Sequence, residues 1–204
     1  MGRFLVFEGL DGAGTTTQLA RLSARLEEAG CTVTATREPT DGPVGRVIRQ
    51  TLRAEEGAPY PATLPWMFAA DRADHLARTV EPALTRGAWV LSDRYYHSSL
   101  AYQSMTLPID EVYALNRRFR VPDLTIFLDV SVDVAMARIE ARGEAREIFE
   151  TRAHLEKVSW GYGRVFDLLR DQGEPIAVLD ADSDVDAVAA AVWARVVPLL
   201  SDED

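Results

Sequence analysis

Short apolar runs alternate along this chain with longer stretches in which apolar residues recur every three or four positions. The runs are Phe4–Phe7, Thr32–Thr36, Trp89–Ser92, Leu124–Leu128 and Ile176–Leu179. They are brief, β-branched and apolar on both faces, which predicts buried parallel strands. Helical periodicity covers Thr16–Ala29, Val44–Leu52, Leu64–Leu84, Ile109–Phe119, Val132–Ala141, His154–Leu169 and Val185–Leu200. The alternation predicts an α/β fold: a doubly wound, five-stranded parallel sheet with helices on both faces. Ligands in such sheets sit beyond the carboxyl ends of the strands. The residues expected there are polar: Glu8, Arg37-Glu38, Asp93-Arg94, Asp129 and Asp180.

Composition narrows the partners. The chain has 204 residues, enough for one domain over 1–204 with a lid. Its net charge of −10 argues against a nucleic-acid polymer or a membrane surface as partner. Any anionic ligand must then be met by locally clustered arginines. No apolar segment has the length of a membrane span, and no signal peptide opens the chain. The lone Cys31 excludes an internal disulfide and suits a reducing, cytoplasmic setting. It is expected to be a small buried residue at a strand start.

The first strand runs into Glu8-Gly9-Leu10-Asp11-Gly12-Ala13-Gly14-Thr15-Thr16-Thr17-Gln18. Gly9 and Gly14 have the spacing of a phosphate-binding P-loop, and Thr16 stands where the magnesium-binding hydroxyl belongs. Glycines let successive backbone N–H groups face a phosphate chain, and the following helix adds its positive end. The segment Gly9–Thr17 therefore points to a nucleoside triphosphate. The usual lysine is missing, because its position holds Thr15. Only Lys157 among the 22 lysines and arginines is a lysine, so arginines are the expected compensation.

Four further constellations carry chemistry. Arg37-Glu38-Pro39 ends the second strand, where proline fixes the turn. Asp93-Arg94 ends the third, where an acidic residue after a buried run needs a cation, a metal or donors; in P-loop enzymes an Asp here helps to hold magnesium. His97 to Gln103 offers hydroxyls, a phenol and an amide on a helix, with His97 expected at the surface. Phe68 and Arg72 lie four apart, a ring and a bidentate donor on one helical face. Arg138, Arg142, Arg146 and Arg152 gather around Gly143. They read either as a solvated basic helix end or as a lid at about 142–152.

Taken together, these motifs resemble the thymidylate kinase family over nearly the whole chain, in order. The match comprises the Gly9–Gly14 loop, Arg37-Glu38-Pro39, Phe68-Ala69-Ala70-Asp71-Arg72, Asp93-Arg94-Tyr95 with Ser98 to Gln103, Pro122-Asp123-Leu124, and Arg146 to Glu150. Thr15 is the one departure within the loop. The resemblance implies phosphorylation of dTMP by ATP with Mg2+. Asp11 would bind the deoxyribose 3′-hydroxyl, Phe68 would stack on thymine and Arg72 would bond its O4. Arg37 and Arg94 would hold the acceptor phosphate. Ser98, Ser99, Tyr102, Gln103 and Tyr162 would line the sugar and base, with Tyr102 disfavouring ribose. Thr16 and Asp93 would organise the metal, and Arg142 and Arg146 would reach the phosphates from the lid. A homodimer is implied too. A kinase of another nucleotide and a nucleotide-binding pseudoenzyme are the alternatives that Thr15 leaves open.

Overall fold

The computed structural model describes residues 2–142 and 151–200, with the backbone only at Arg142. Five strands form one parallel sheet: β1 (Phe4–Gly9), β2 (Val33–Arg37), β3 (Trp89–Asp93), β4 (Leu124–Asp129) and β5 (Ile176–Asp180), in the order β2-β3-β1-β4-β5. All six residues of β1 are buried, because strands pair on both its edges and helices cover both its faces. The register aligns Phe7 with Asp93 and Asp93 with Arg37. The carboxyl ends of β2, β3 and β1 therefore open side by side, and the loops after them converge.

The helices are α1 (Thr15–Glu28), α2 (Pro43–Leu52), α3 (Leu64–His75), α4 (Glu81–Thr85), α5 (Tyr96–Gln103), α6 (Ile109–Asn116), α7 (Val132–Arg142), α8 (Arg152–Arg170) and α9 (Val185–Val196). α1 packs with α9, where the Arg25 guanidinium lies 4.1 Å from the Trp193 ring centre. α5 packs on α8.

Two helices end where proline intervenes. The single helix expected over Leu64–Leu84 contains a π-helical stretch at Leu76–Val80 between α3 and α4. Pro82 has no N–H for the carbonyl four residues back, and a wider turn upstream accommodates its ring. The last helix stops at Val196 and tightens to a 3₁₀ turn over Val197–Leu200, which contains Pro198. Cys31 is half-buried just before β2.

The loop after β2 is pressed onto α2 and α3. The buried Asp71 carboxylate accepts hydrogen bonds from the Thr40 N–H and hydroxyl, each at 2.7 Å. Gly45 makes this approach possible, since a Cβ there would lie 1.9 Å from the Thr40 carbonyl oxygen. Among the described residues no helix is long and apolar enough to cross a membrane.

Candidate active site

β1 ends in a loop whose backbone only glycine adopts easily. Gly12 and Gly14 have φ of +84° and +92°. A Cβ on Gly12 would also stand 2.5 Å from the Ala135 carbonyl oxygen, so α7 rests directly on the loop. Gly14 caps α1, and the free N–H groups of that helix face the cavity above the loop. This cavity, of about 410 Å3, is bounded by Gly12, Thr16, Arg37, Asp93, Arg94 and Arg138 among others.

Asp93 closes its floor. One carboxylate oxygen accepts the Thr16 hydroxyl. The other, Oδ1, is buried without a hydrogen-bond partner among the described residues. An orphaned carboxylate oxygen beside a threonine hydroxyl fits a magnesium ion, which takes one or two protein oxygens and completes its shell with phosphates and water. Among the described residues no cluster of three or more acidic, histidine or cysteine side chains is arranged to hold a metal by itself.

A second, smaller cavity of about 110 Å3 lies behind Arg94, lined by Phe68, Arg72, Ser98, Ser99, Tyr102 and Gln103, and by Pro39, Leu52 and Tyr95. Asp11, Glu38 and Arg94 border both cavities. Phe68 is half-buried and held by the small apolar cluster Ile48, Leu52 and Leu64.

Arg72 is fully buried, and its donors can be counted. Nε donates to Glu38 at 2.9 Å, and Nη2 reaches Glu38 at 2.7 Å and Ser99 at 3.0 Å. Nη1 donates to Asn116. Four of the five N–H bonds are used, and the fifth, on Nη1, has no hydrogen-bond partner among the described residues. Across the same cavity the Gln103 side-chain oxygen is buried with no partner among the described residues. Arg72 and Gln103, both lining residues, thus keep one unused donor and one unused acceptor among the described residues.

Arg94 joins the two cavities. Its left-handed backbone, φ +71°, turns the chain sharply after β3. Nη2 donates to Asp11 at 2.6 Å; Nη1 donates to the Gly9 carbonyl at 3.0 Å and the Ser98 hydroxyl at 3.1 Å. Burial alone would favour loss of its proton, but Tyr102, Asp11, Tyr162 and Glu8 around it outweigh that and hold it charged. The Tyr102 hydroxyl donates to the other Asp11 oxygen at 3.0 Å. Burial pushes the Tyr102 and Tyr162 phenols well above their ordinary range, so both stay donors at neutral pH.

Some expected residues stand elsewhere. Arg37 is exposed at the mouth of the loop cavity, where it donates to Asp41 at 2.8 Å. Tyr162 is not on the wall of the small cavity; it is buried behind Ser98 and donates to Glu8 at 2.8 Å. His97, expected at the surface, is fully buried, with Nε2 3.2 Å from the Thr125 hydroxyl and 3.3 Å from Glu174. Its helix faces β4 and α8 rather than solvent. Thr15 is 7 % exposed. Arg146 lies outside the described residues, as does the Arg142 side chain.

Sequence reasoning placed Glu8 and Glu38 at the strand ends but gave them no bracing role, and it did not single out His75 or Thr36. Glu8, buried at the end of β1, accepts the Tyr95 N–H at 2.8 Å, the Ser98 hydroxyl at 2.6 Å and the Tyr162 hydroxyl. Glu38 bridges Arg72 to His75 Nδ1 at 2.9 Å, and Thr36 meets His75 Nε2 at 2.8 Å. A carboxylate closing an apolar run was the available signal, because such a group is costly unless donors surround it.

A parallel sheet of this order, with a glycine loop after its central strand and an acidic residue at the end of the neighbouring one, defines a P-loop phosphotransferase. Two adjoining cavities open at the ends of these strands. The family model described as thymidylate kinase matches residues 7–192. A protein of Synechococcus sp. (strain WH7803) named thymidylate kinase is 44 % identical over 79 % of this chain and 81 % of its own. One of the same name from Thermomicrobium roseum is 42 % identical over 98 % of this chain and 97 % of its own. A third, from Xanthomonas oryzae pv. oryzae, is 38 % identical over 98 % and 86 %. The chain belongs to the thymidylate kinase family.

Proposed function

We propose that this protein transfers the γ-phosphoryl group of ATP to the phosphate of dTMP, giving dTDP and ADP. The observation that supports this reading is that two residues lining the small cavity, Arg72 and Gln103, keep one unused donor and one unused acceptor among the described residues. Thymine presents O4 beside N3–H, which answers both. Cytosine presents an amino group and an unprotonated nitrogen and opposes both. A cavity of about 110 Å3 suits one ring rather than the two of guanine, which has a similar edge.

The remaining roles belong to the same proposal. Phe68 covers the base, and Ser98, Ser99 and Tyr102 line the path from base to phosphate. Asp11 meets the sugar hydroxyl, and Tyr102, bonded to Asp11, crowds a 2′-hydroxyl. Arg94 and Arg37 hold the acceptor phosphate, Arg94 from the shared wall and Arg37 from the mouth. The loop N–H groups from Gly9 to Thr17 and the positive end of α1 hold the donor phosphates. Thr16 and Asp93 hold Mg2+, which neutralises phosphate charge when bound. The acceptor phosphate is already anionic and needs no strong base. Arg146 and the Arg142 side chain lie outside the described residues; in this reading they are the lid residues, at about 142–152 of the single domain, that serve the phosphates.

The test is a coupled ADP-release assay with dTMP, dUMP, dCMP and dGMP at saturating ATP and Mg2+. A site that opposes a donor with a donor rejects the wrong base by about 10⁴-fold. dTMP should therefore exceed dCMP in kcat/KM by that order. Equal use of dCMP or dGMP overturns the reading.

The same proposal includes a cytoplasmic homodimer. Tyr60 and Trp66, both exposed beside α3, supply apolar surface for the contact. Sedimentation velocity at micromolar concentration should give the dimer mass, and a monomer would remove this part.

A further inference from the structure

The loop lacks the lysine that grips the β- and γ-phosphates, and Thr15 cannot supply its charge. Among the described residues three arginines border the loop cavity: Arg37, Arg94 and Arg138. Two of them already face a carboxylate. Arg37 is paired with Asp41 and Arg94 with Asp11.

Arg138 differs. Among the described residues it meets no carboxylate, only carbonyl oxygens. Nη2 donates to Ala181 at 3.0 Å, while Nη1 reaches Gly12 and Ala13 of the loop itself at 3.5 and 3.4 Å. Contacts that long are weak, so the guanidinium is positioned at the loop without being satisfied there. Its support is rigid. α7 touches the loop where Ala135 meets Gly12, and Arg138 lies three residues on, along the same face.

We propose that Arg138 supplies the cation missing at Thr15, with its guanidinium on the β- and γ-phosphates of the donor nucleotide. This rests on the kinase reading above and adds to it the residue that completes the loop. In the reaction, an electron pair on an acceptor-phosphate oxygen forms a bond to the γ-phosphorus. The bond from that phosphorus to the β–γ bridging oxygen breaks, and its electron pair stays on the ADP β-phosphate. Arg138 faces that developing charge. An arginine fork suits this place because two phosphate oxygens can be met at once. Its anchorage on α7 also means that donor-phosphate binding and the position of α7 are coupled.

The experiment combines Arg138→Met, Arg138→Lys, Thr15→Lys and the double variant Thr15→Lys/Arg138→Met. Each is assayed for turnover and titrated with ADP and, separately, with dTMP by calorimetry. Loss of one donor to a developing charge costs about 10²- to 10³-fold in kcat. Arg138→Met should lose that much and bind ADP about tenfold more weakly or worse, with dTMP binding within about threefold of wild type as the check that it is folded. Arg138→Lys should keep part of the activity. The double variant should regain at least tenfold of the lost rate, since a lysine at position 15 restores the charge from the other side of the loop.

A merely structural Arg138, clamping α7 to the loop carbonyls, would not be rescued by a charge at Thr15. Failure of that rescue, or an Arg138→Met variant with wild-type kcat and ADP affinity, overturns the proposal. If the wild type does not phosphorylate dTMP, the function proposed above fails on its own. The ADP titrations then still decide whether Arg138 is the phosphate cation.

Discussion

Arg72→Met is expected to cost about 3–5 kcal/mol of folding stability, the range for breaking a buried ion pair from one side. Arg72 is fully buried and carries three named partners, Glu38, Ser99 and Asn116. Its removal leaves the Glu38 carboxylate, itself buried, with the His75 ring as its one remaining side-chain partner among the described residues. Glu38 is only 4 % exposed, so water reaches that charge poorly even though it borders the two cavities. Urea unfolding measures the effect. The double variant Arg72→Met/Glu38→Gln should recover a large part of the loss, because the stranded charge is gone. Arg72→Lys keeps the charge but not the fork, so it should fold better than Arg72→Met while losing preference for dTMP over dCMP. A loss below about 1 kcal/mol for Arg72→Met would mean that the network contributes no more than a surface pair.

Much of this architecture is legible in the sequence, for reasons that vary by element. β1, β3 and β4 are apolar on both faces, so their burial is written directly in composition. The glycine loop is legible because φ values near +90° at Gly12 and Gly14 leave few other residues able to stand there. Continuity of the Leu64–Leu84 helix was not legible. The period of apolar positions survives a π turn, and only Pro82 hinted at one. The site divides in the same way. Phe68, Arg72, Ser98 and Gln103 announce themselves as polar or aromatic residues at helical spacing. Glu8, Glu38, His75 and Asn116 meet their side-chain partners, such as Tyr162 and Arg72, across 34 to 154 positions in sequence, which no local spacing records. His97 shows the limit of reading polarity as exposure. Beside serines it resembles a surface residue, yet Thr125 and Glu174, from β4 and the turn before β5, accommodate it in the interior.

Arg94→Met is expected to lower kcat by about 10²- to 10³-fold, the effect of losing one preorganised donor to transferring charge. Three features set Arg94 apart from Arg37. It borders both cavities, it is largely buried, and it is fixed by Gly9, Ser98 and Asp11, whereas Arg37 is exposed and held by a solvated Asp41. A charge in a partly dry site interacts several times more strongly than one in water. Equivalent substitution of Arg37 should therefore raise the KM for dTMP with a smaller change in kcat. Arg94→Lys should recover little. Its single ammonium cannot span Asp11 on one side and the Gly9 carbonyl on the other while also reaching a phosphate. Steady-state kinetics separate the two arginines, and thermal melting checks that Arg94→Met remains folded. If Arg94→Met keeps kcat within about fivefold and alters only the dTMP KM, Arg94 contributes uniform binding and not stabilisation of the transferring group. The acceptor would then be the task of both arginines, and the transition-state charge would fall to Arg138, the loop N–H groups and the metal.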